Sequence, residues 1–150
     1  MDVEKLLRCL NAHRVKYVVI DATAFPVHGF SRVTFDVDIF IEVTERNAER
    51  TLKALGESGY NVVDLSVKEL LQKKILFRQY ATEADIHPYV AGATFEQVWR
   101  KRVLNRIGET RAYFAGLLDL IKMKKAAGRS KDLEDLRVLE KLLARKRKAK

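Results

Sequence analysis

The sequence predicts a mixed α/β (α+β) domain in which a small mixed β-sheet is flanked by helices and two further helices close the chain. Three observations point there. Short apolar runs such as "KYVVI" and "FDVDIFIEV" carry the β-branched, alternating pattern of strands. Between them stand segments with apolar residues at helical spacing, and strands interleaved with helices make a layered sheet-and-helix domain. Two such helical segments, separated by Gly128, occupy the end of the chain.

The elements follow in order. A first helix runs from Val3 to about Asn11, because Val3, Leu6, Leu7 and Leu10 share one face. Residues 16–20 form a short apolar strand. "ATAFPVHGF" reads as a broken or short helix, since Pro26 fits only a first turn and Gly29 suits an end. Residues 35–43 form a strand whose period of two places Asp36 and Asp38 on one face with Phe40 and Glu42, and Val37, Ile39 and Ile41 on the other. Thr44 caps a helix over about 45–56 with Ala48, Leu52 and Leu55 inward, stopped in the Gly56 to Gly59 region. Residues 60–65 are a further candidate strand, 67–74 a short helix, and 75–80 and 83–90 a pair of strands. A helix over 94–102 turns Phe95, Val98 and Trp99 inward. The closing helices cover 116–127 and 131 to about 147, the second capped by Ser130 with Leu133, Leu136, Leu139, Leu142 and Leu143 as its core face.

Composition narrows the class of protein. At 150 residues the chain has the size of one domain over 1–150, with the last five or so residues a frayed basic tail. Hydrophobic residues at 47% and charged residues at 33% suit a folded soluble protein rather than a disordered or membrane one. No apolar run reaches the roughly 18 residues of a membrane span, and "MDVEKLLRCLNAHR" has no apolar signal core, so a cytoplasmic protein with no membrane partner is expected. The single cysteine, Cys9, has no disulfide partner and suits a reducing compartment as a small core residue. Net charge is +9, and residues 122–150 hold 12 basic and 4 acidic residues. The basic character is therefore local. Such a stripe suits a polyanion, or equally a solvated helix end with cations on its dipole.

The chemistry concentrates at Asp36 and Asp38. A lone carboxylate is costly to bury, so either that end of the strand opens onto solvent or a cation sits there. Residues i and i+2 on a strand point the same way with Cα atoms roughly 6.5–7 Å apart. Two carboxylates so placed can converge on a pair of divalent metals, which clamp the oxygens of a phosphoryl displacement. Magnesium is the natural occupant because it takes oxygen ligands and shares its shell with water and phosphates. Asp85 in "ATEADIHPYV" is the candidate third carboxylate, presented from a neighbouring strand, with Asp64 and Glu83 as the alternatives for that place. His28 and His87 have no ligand or triad partner at a recognisable spacing: His28 reads as a helix-end residue bonding a backbone carbonyl, His87 as a strand residue facing solvent.

"YVVIDATAFPVHGFSRVTFDVDIFI" resembles the opening of the minimal nucleotidyltransferase fold found in bacterial toxin–antitoxin systems, with Arg32, Thr34, Asp36 and Asp38 on its Arg-x-Thr-x-Asp-x-Asp element and His28-Gly29 ending its short helix. "LLDLIKMKKAAGRSKDLEDLRVLEKLL" is similar to the family's closing helices, with Lys122, Lys125, Arg129, Lys131, Asp132 and Asp135 at matching positions. The resemblance spans about residues 5–143. It implies a magnesium-dependent transfer of a nucleoside monophosphate from a nucleoside triphosphate to an RNA, tRNA or protein acceptor, with a cognate partner protein as a further expectation. Asp36, Asp38 and Asp85 would hold two magnesium ions, and Asp85 would help activate the acceptor. Ala22, Thr23, Arg32, Thr34, Lys122 and Lys125 would meet the nucleotide.

The chain departs from that family at one place. Where the family carries Gly-Gly or Gly-Ser, so that backbone N–H groups approach the triphosphate, this chain has Asp21-Ala22. A carboxylate at that point opposes a polyanion. Two functions follow from the same residues: an active transferase, or the same fold as a catalytically weak module that binds RNA or a partner protein through its basic surface.

Overall fold

The computed structural model describes residues 3–78 and 82–149. The first helix, α1 (Val3–Ala12), buries Val3, Leu6, Leu7, Cys9 and Leu10, the face that the apolar spacing predicts with Cys9 added to it. β1 (Tyr17–Ile20) is buried at every position. It runs directly into a 3₁₀ helix over Asp21–His28, which ends at Gly29 with φ 98°. That left-handed ending is natural for glycine, and it closes the short helix expected around Pro26.

β2 (Asp36–Ile41) carries the aspartates at its start, while Val37, Ile39, Phe40 and Ile41 are buried. The side chain of Thr44 accepts the N–H of Asn47 and caps α2 (Glu45–Glu57). Ser66 and Glu69 form a capping box on α3 (Val67–Gln72), and Thr94 and Gln97 do the same for α4 (Phe95–Arg100). β3 (Ile75–Phe77) and β4 (Glu83–His87) pair antiparallel, as expected, although residues 79–81 of that stretch lie outside the described residues. β5 (Val103–Ile107) and β6 (Thr110–Phe114) form a hairpin through Gly108, whose φ of 58° suits the first position of a two-residue turn.

Together these strands make one six-stranded mixed sheet in the order β3-β4-β2-β1-β6-β5. β1 is antiparallel to β2 and parallel to β6, and β2 is parallel to β4. α5 (Leu117–Ala127) stops at Gly128 in the left-handed region, and α6 (Leu133–Lys148) follows a short 3₁₀ turn over Ser130–Asp132. The two helices pack on each other, as α1 does on α2. Among the described residues no helix is long and apolar enough to cross a membrane.

The structure corrects four expectations. Residues 60–65 form no strand: Val63 is 86% exposed, and the segment is held by the Tyr60 hydroxyl, which donates to the Thr82 carbonyl. The β5–β6 hairpin stands where no element was expected, because its outer strand is mostly exposed and lacks an apolar alternation. Ser130 does not cap α6, since the 3₁₀ turn intervenes and Asp132 occupies the cap position without a side-chain bond. Leu133 is 51% exposed, which leaves Leu139 as the fully buried residue of that face, with Leu136, Leu142 and Leu143 partly covered.

Candidate functional site

The sheet register assembles the carboxylates. β1 delivers the chain to Asp21, and its last residue Ile20 lies opposite Asp38 on β2. On the other side of β2, Asp38 stands directly beside Asp85 of the parallel strand β4, and Asp36 beside Glu83. Partners in register on neighbouring strands point to the same face, so Asp38 and Asp85 converge without any special loop. They open into a cleft of about 670 Å³ that Asp21, Ala22, Arg32 and Thr34 also line.

His87 enters the same cleft, although its strand position alone suggested a solvent-facing residue. Its Nε2 is hydrogen bonded to Asp38 Oδ1 at 2.8 Å, and its side chain is largely buried. Asp85-x-His87 repeats the i, i+2 spacing of Asp36-x-Asp38, and that repetition is the signal by which it could have been found. One donor atom each from Asp38, Asp85 and His87 lies within 4.8 Å of the others. This set fits a divalent cation. The carboxylates suit magnesium or manganese, and the imidazole adds a preference for manganese or another transition metal over magnesium. Asp36 stands further out, its Oδ1 accepting a hydrogen bond from Thr34 Oγ1 at 3.2 Å.

The aspartates are not bare. Arg78 Nη1 reaches Asp85 Oδ1 at 2.5 Å, and Arg78 Nε lies 3.4 Å from Glu83. Burial pushes the Asp38 carboxyl above the usual carboxylate range, and the bond and charge of His87 offset only part of that.

A second cluster frames the cleft from the closing helices, and its centre is Lys124. The Lys124 side chain is 7% exposed, with its Nζ 2.8 Å from Asp21, 3.0 Å from Asp132 and 3.3 Å from Asp135. Burial alone would lower the pKa of this ammonium, but Asp21 and Asp132 outweigh burial and hold it above its ordinary value. Arg129 closes on Asp132 at 2.8 Å, and Arg32 grips Asp135 through Nε and Nη2, each at 2.8 Å. This network ties the turn after β1, the loop before β2, α5 and the start of α6 into one frame.

The remaining expected site residues distribute as follows. Ala22 is buried and lines the cleft, while Thr23 donates to the Asp36 carbonyl at 3.3 Å. Thr34 lines the cleft, and Arg32 does so with its fork already engaged by Asp135. Lys122 and Lys125 are exposed and do not line it. The phase of α5 explains why: Leu117, Leu120, Ile121 and Lys124 share its buried face, so the inward lysine is Lys124 and its neighbours point away. Lys74 and Lys131 line the cleft with no carboxylate partner among the described residues, so they are the cations free to meet an incoming anion. His28 lies outside the site and bonds the Ala115 carbonyl at 2.8 Å, as a helix-end residue does.

Asp21 occupies the departure noted in the sequence. Its φ is 60°, the left-handed region that glycine enters freely and that aspartate tolerates at a cost. The backbone at Asp21 therefore takes a shape that glycine would adopt without strain, and Lys124 stands against its carboxylate at 2.8 Å. Comparison with known protein families found no family model that matches this chain, and no curated protein matches it either.

Proposed function

We propose that this chain is a nucleotidyltransferase-fold protein that moves a nucleoside monophosphate from a nucleoside triphosphate to an RNA, tRNA or protein acceptor, as one component of a toxin–antitoxin pair. One observation carries the reading: Asp38 and Asp85 stand in register on adjacent parallel strands, with Asp36 two residues earlier, at the mouth of a cleft that also presents Lys74 and Lys131. In this reading Lys74 and Lys131 meet the β- and γ-phosphates, and the frame built on Lys124 and Arg32 fixes the cleft wall. The acceptor oxygen forms a bond to the α-phosphorus, the bond to the bridging oxygen breaks, pyrophosphate leaves, and Asp85 takes the acceptor proton. Divalent cations held by Asp36, Asp38 and Asp85, with His87 beside them, would supply charge neutralisation at the phosphates.

A second reading rests on the same contacts. Arg78 already occupies Asp85, and Asp21 stands where phosphate-facing glycines would serve a transferase. A module that keeps the fold and binds without turnover would carry those two features.

Incubation with α-labelled nucleoside triphosphates, magnesium or manganese, and mixed cellular RNA and protein tests the first reading. The expected result is label on a discrete acceptor, lost in Asp38→Asn. Label absent with every triphosphate and either metal would favour the second.

A further inference from the structure

Another cleft lies at the far end of the sheet from the aspartates, where β1 begins and β2 ends. It encloses about 580 Å³. Following β2 from Asp38, it begins at Glu42, about 13 Å away at a strand rise of about 3.3 Å per residue.

The charge around it is one-sided. Arg14, Arg46, Arg50 and Arg111 line the cleft together with Lys16, and its one carboxylate, Glu42, is already bound to Lys16 at 3.1 Å. None of the four guanidinium groups has a carboxylate or hydrogen-bond partner among the described residues, in contrast to Arg32, Arg78 and Arg129 at the other end of the sheet. Clustered guanidinium groups repel one another, and an anion between them removes that penalty. Arg46 and Arg50 are four residues apart on α2 and so present both forks on the same side. Arg14 holds its place in the left-handed region at φ 56°, a conformation that glycine or asparagine would adopt with less strain.

The chemistry of the donors selects the anion. Guanidinium forks match the paired oxygens of a phosphate, and several forks spread over one concavity match successive phosphates rather than one. The volume is that of a small-ligand pocket, which a single strand can cross along the arginines at its rim and a duplex cannot enter. We propose that this cleft binds the phosphate backbone of single-stranded nucleic acid, through Arg14, Arg46, Arg50 and Arg111. This surface is separate from the basic end of α6 and independent of the aspartate site, so it holds for either function proposed above.

Fluorescence anisotropy of a labelled twelve-nucleotide uridine strand and its deoxy counterpart, titrated with the full chain in EDTA over 50–200 mM salt, tests this. Three variants accompany the wild type: Arg46→Ala/Arg50→Ala, Arg14→Ala/Arg111→Ala, and Arg145→Ala/Arg147→Ala on the last helix, each checked for an unchanged melting temperature. Each cleft pair should weaken binding about ten-fold and lower the slope of log affinity against log salt by about 1.4, at roughly 0.7 for each phosphate no longer neutralised, while the helix pair changes little. A preference between the two strands would show whether the natural ligand is RNA or DNA. Unchanged binding in both cleft pairs, weakening confined to the helix pair, or equal displacement of the strand by uridine monophosphate or by polyglutamate would overturn the proposal.

Discussion

The Lys124 ammonium and the Asp21 carboxylate meet at 2.8 Å, joining the turn after β1 to the last turn of α5. The same ammonium also contacts Asp132 and Asp135, whose charges Arg129 and Arg32 help to balance. Removing one side of a buried pair leaves the other charged and unsolvated, at a cost of about 3–5 kcal/mol. Arg129 and Arg32 still hold Asp132 and Asp135 after Lys124→Met, so that variant should lose stability towards the lower end of that scale in urea unfolding, and adding Asp132→Asn should recover part of it. A loss under 1 kcal/mol would mean that the cluster is solvated and does not hold the frame.

Acid should loosen the same frame. Burial pushes Asp132 up, but hydrogen bonds and charge from Arg129 and Lys124 prevail and hold its pKa down at about 2. A carboxyl whose pKa is depressed by folding adds stability above its unfolded value, near 3.9, and loses it as pH falls towards the folded one. The side chain is almost fully buried, so this contribution is worth roughly 2 kcal/mol. Stability measured from pH 5 to pH 2 should fall by about that amount more in the wild type than in Asp132→Asn. Parallel curves would remove Asp132 from the account.

Asp21→Gly separates backbone from charge. Glycine relieves a left-handed φ that costs roughly 1 kcal/mol, while the substitution gives up the partly exposed contact to Lys124. The net change in stability should stay within about 1 kcal/mol. If the cleft takes a triphosphate as proposed, its affinity should rise, because a carboxylate leaves the cleft wall. Tighter binding with little change in melting temperature is the expected pair of results. Weaker triphosphate binding would show instead that Asp21 contributes to the site.

Arg78 competes with any cation for Asp85. Its side chain is partly exposed, so the pair is worth only about 1 kcal/mol. Arg78→Ala should strengthen manganese or magnesium binding roughly three- to ten-fold, read by titration calorimetry. Unchanged or weaker metal binding would place the cation away from Asp85.

The sequence revealed the site more fully on its strands than on its helices. Alternation along residues 35–43 put Asp36 and Asp38 on one face, and β2 places both at the cleft because a period of two leaves no other choice. Thr44 was legible because its side chain accepts a local N–H, three residues on, at the start of a helical pattern. Asp85 was readable as a partner from a neighbouring strand, and it does stand beside Asp38, but the parallel direction of β4 and the register that puts the two opposite each other are encoded by no local pattern. Lys124 was readable in principle from the spacing of Leu117, Leu120 and Ile121, yet a lysine on an apolar face makes sense only once three carboxylates from distant segments surround it. The β5–β6 hairpin escaped because its outer strand exposes Leu104, Asn105 and Arg106 and offers no buried alternation to read.

The most direct measurement is thermal melting of the wild type and of Asp36→Ala/Asp38→Ala with each nucleoside triphosphate, with and without magnesium or manganese. A ligand that binds only the native state raises the melting temperature by mass action. The expected result is a rise that needs metal and triphosphate together and disappears in the double variant. A wild type that ignores every triphosphate with either metal, or a double variant that rises equally, would contradict it.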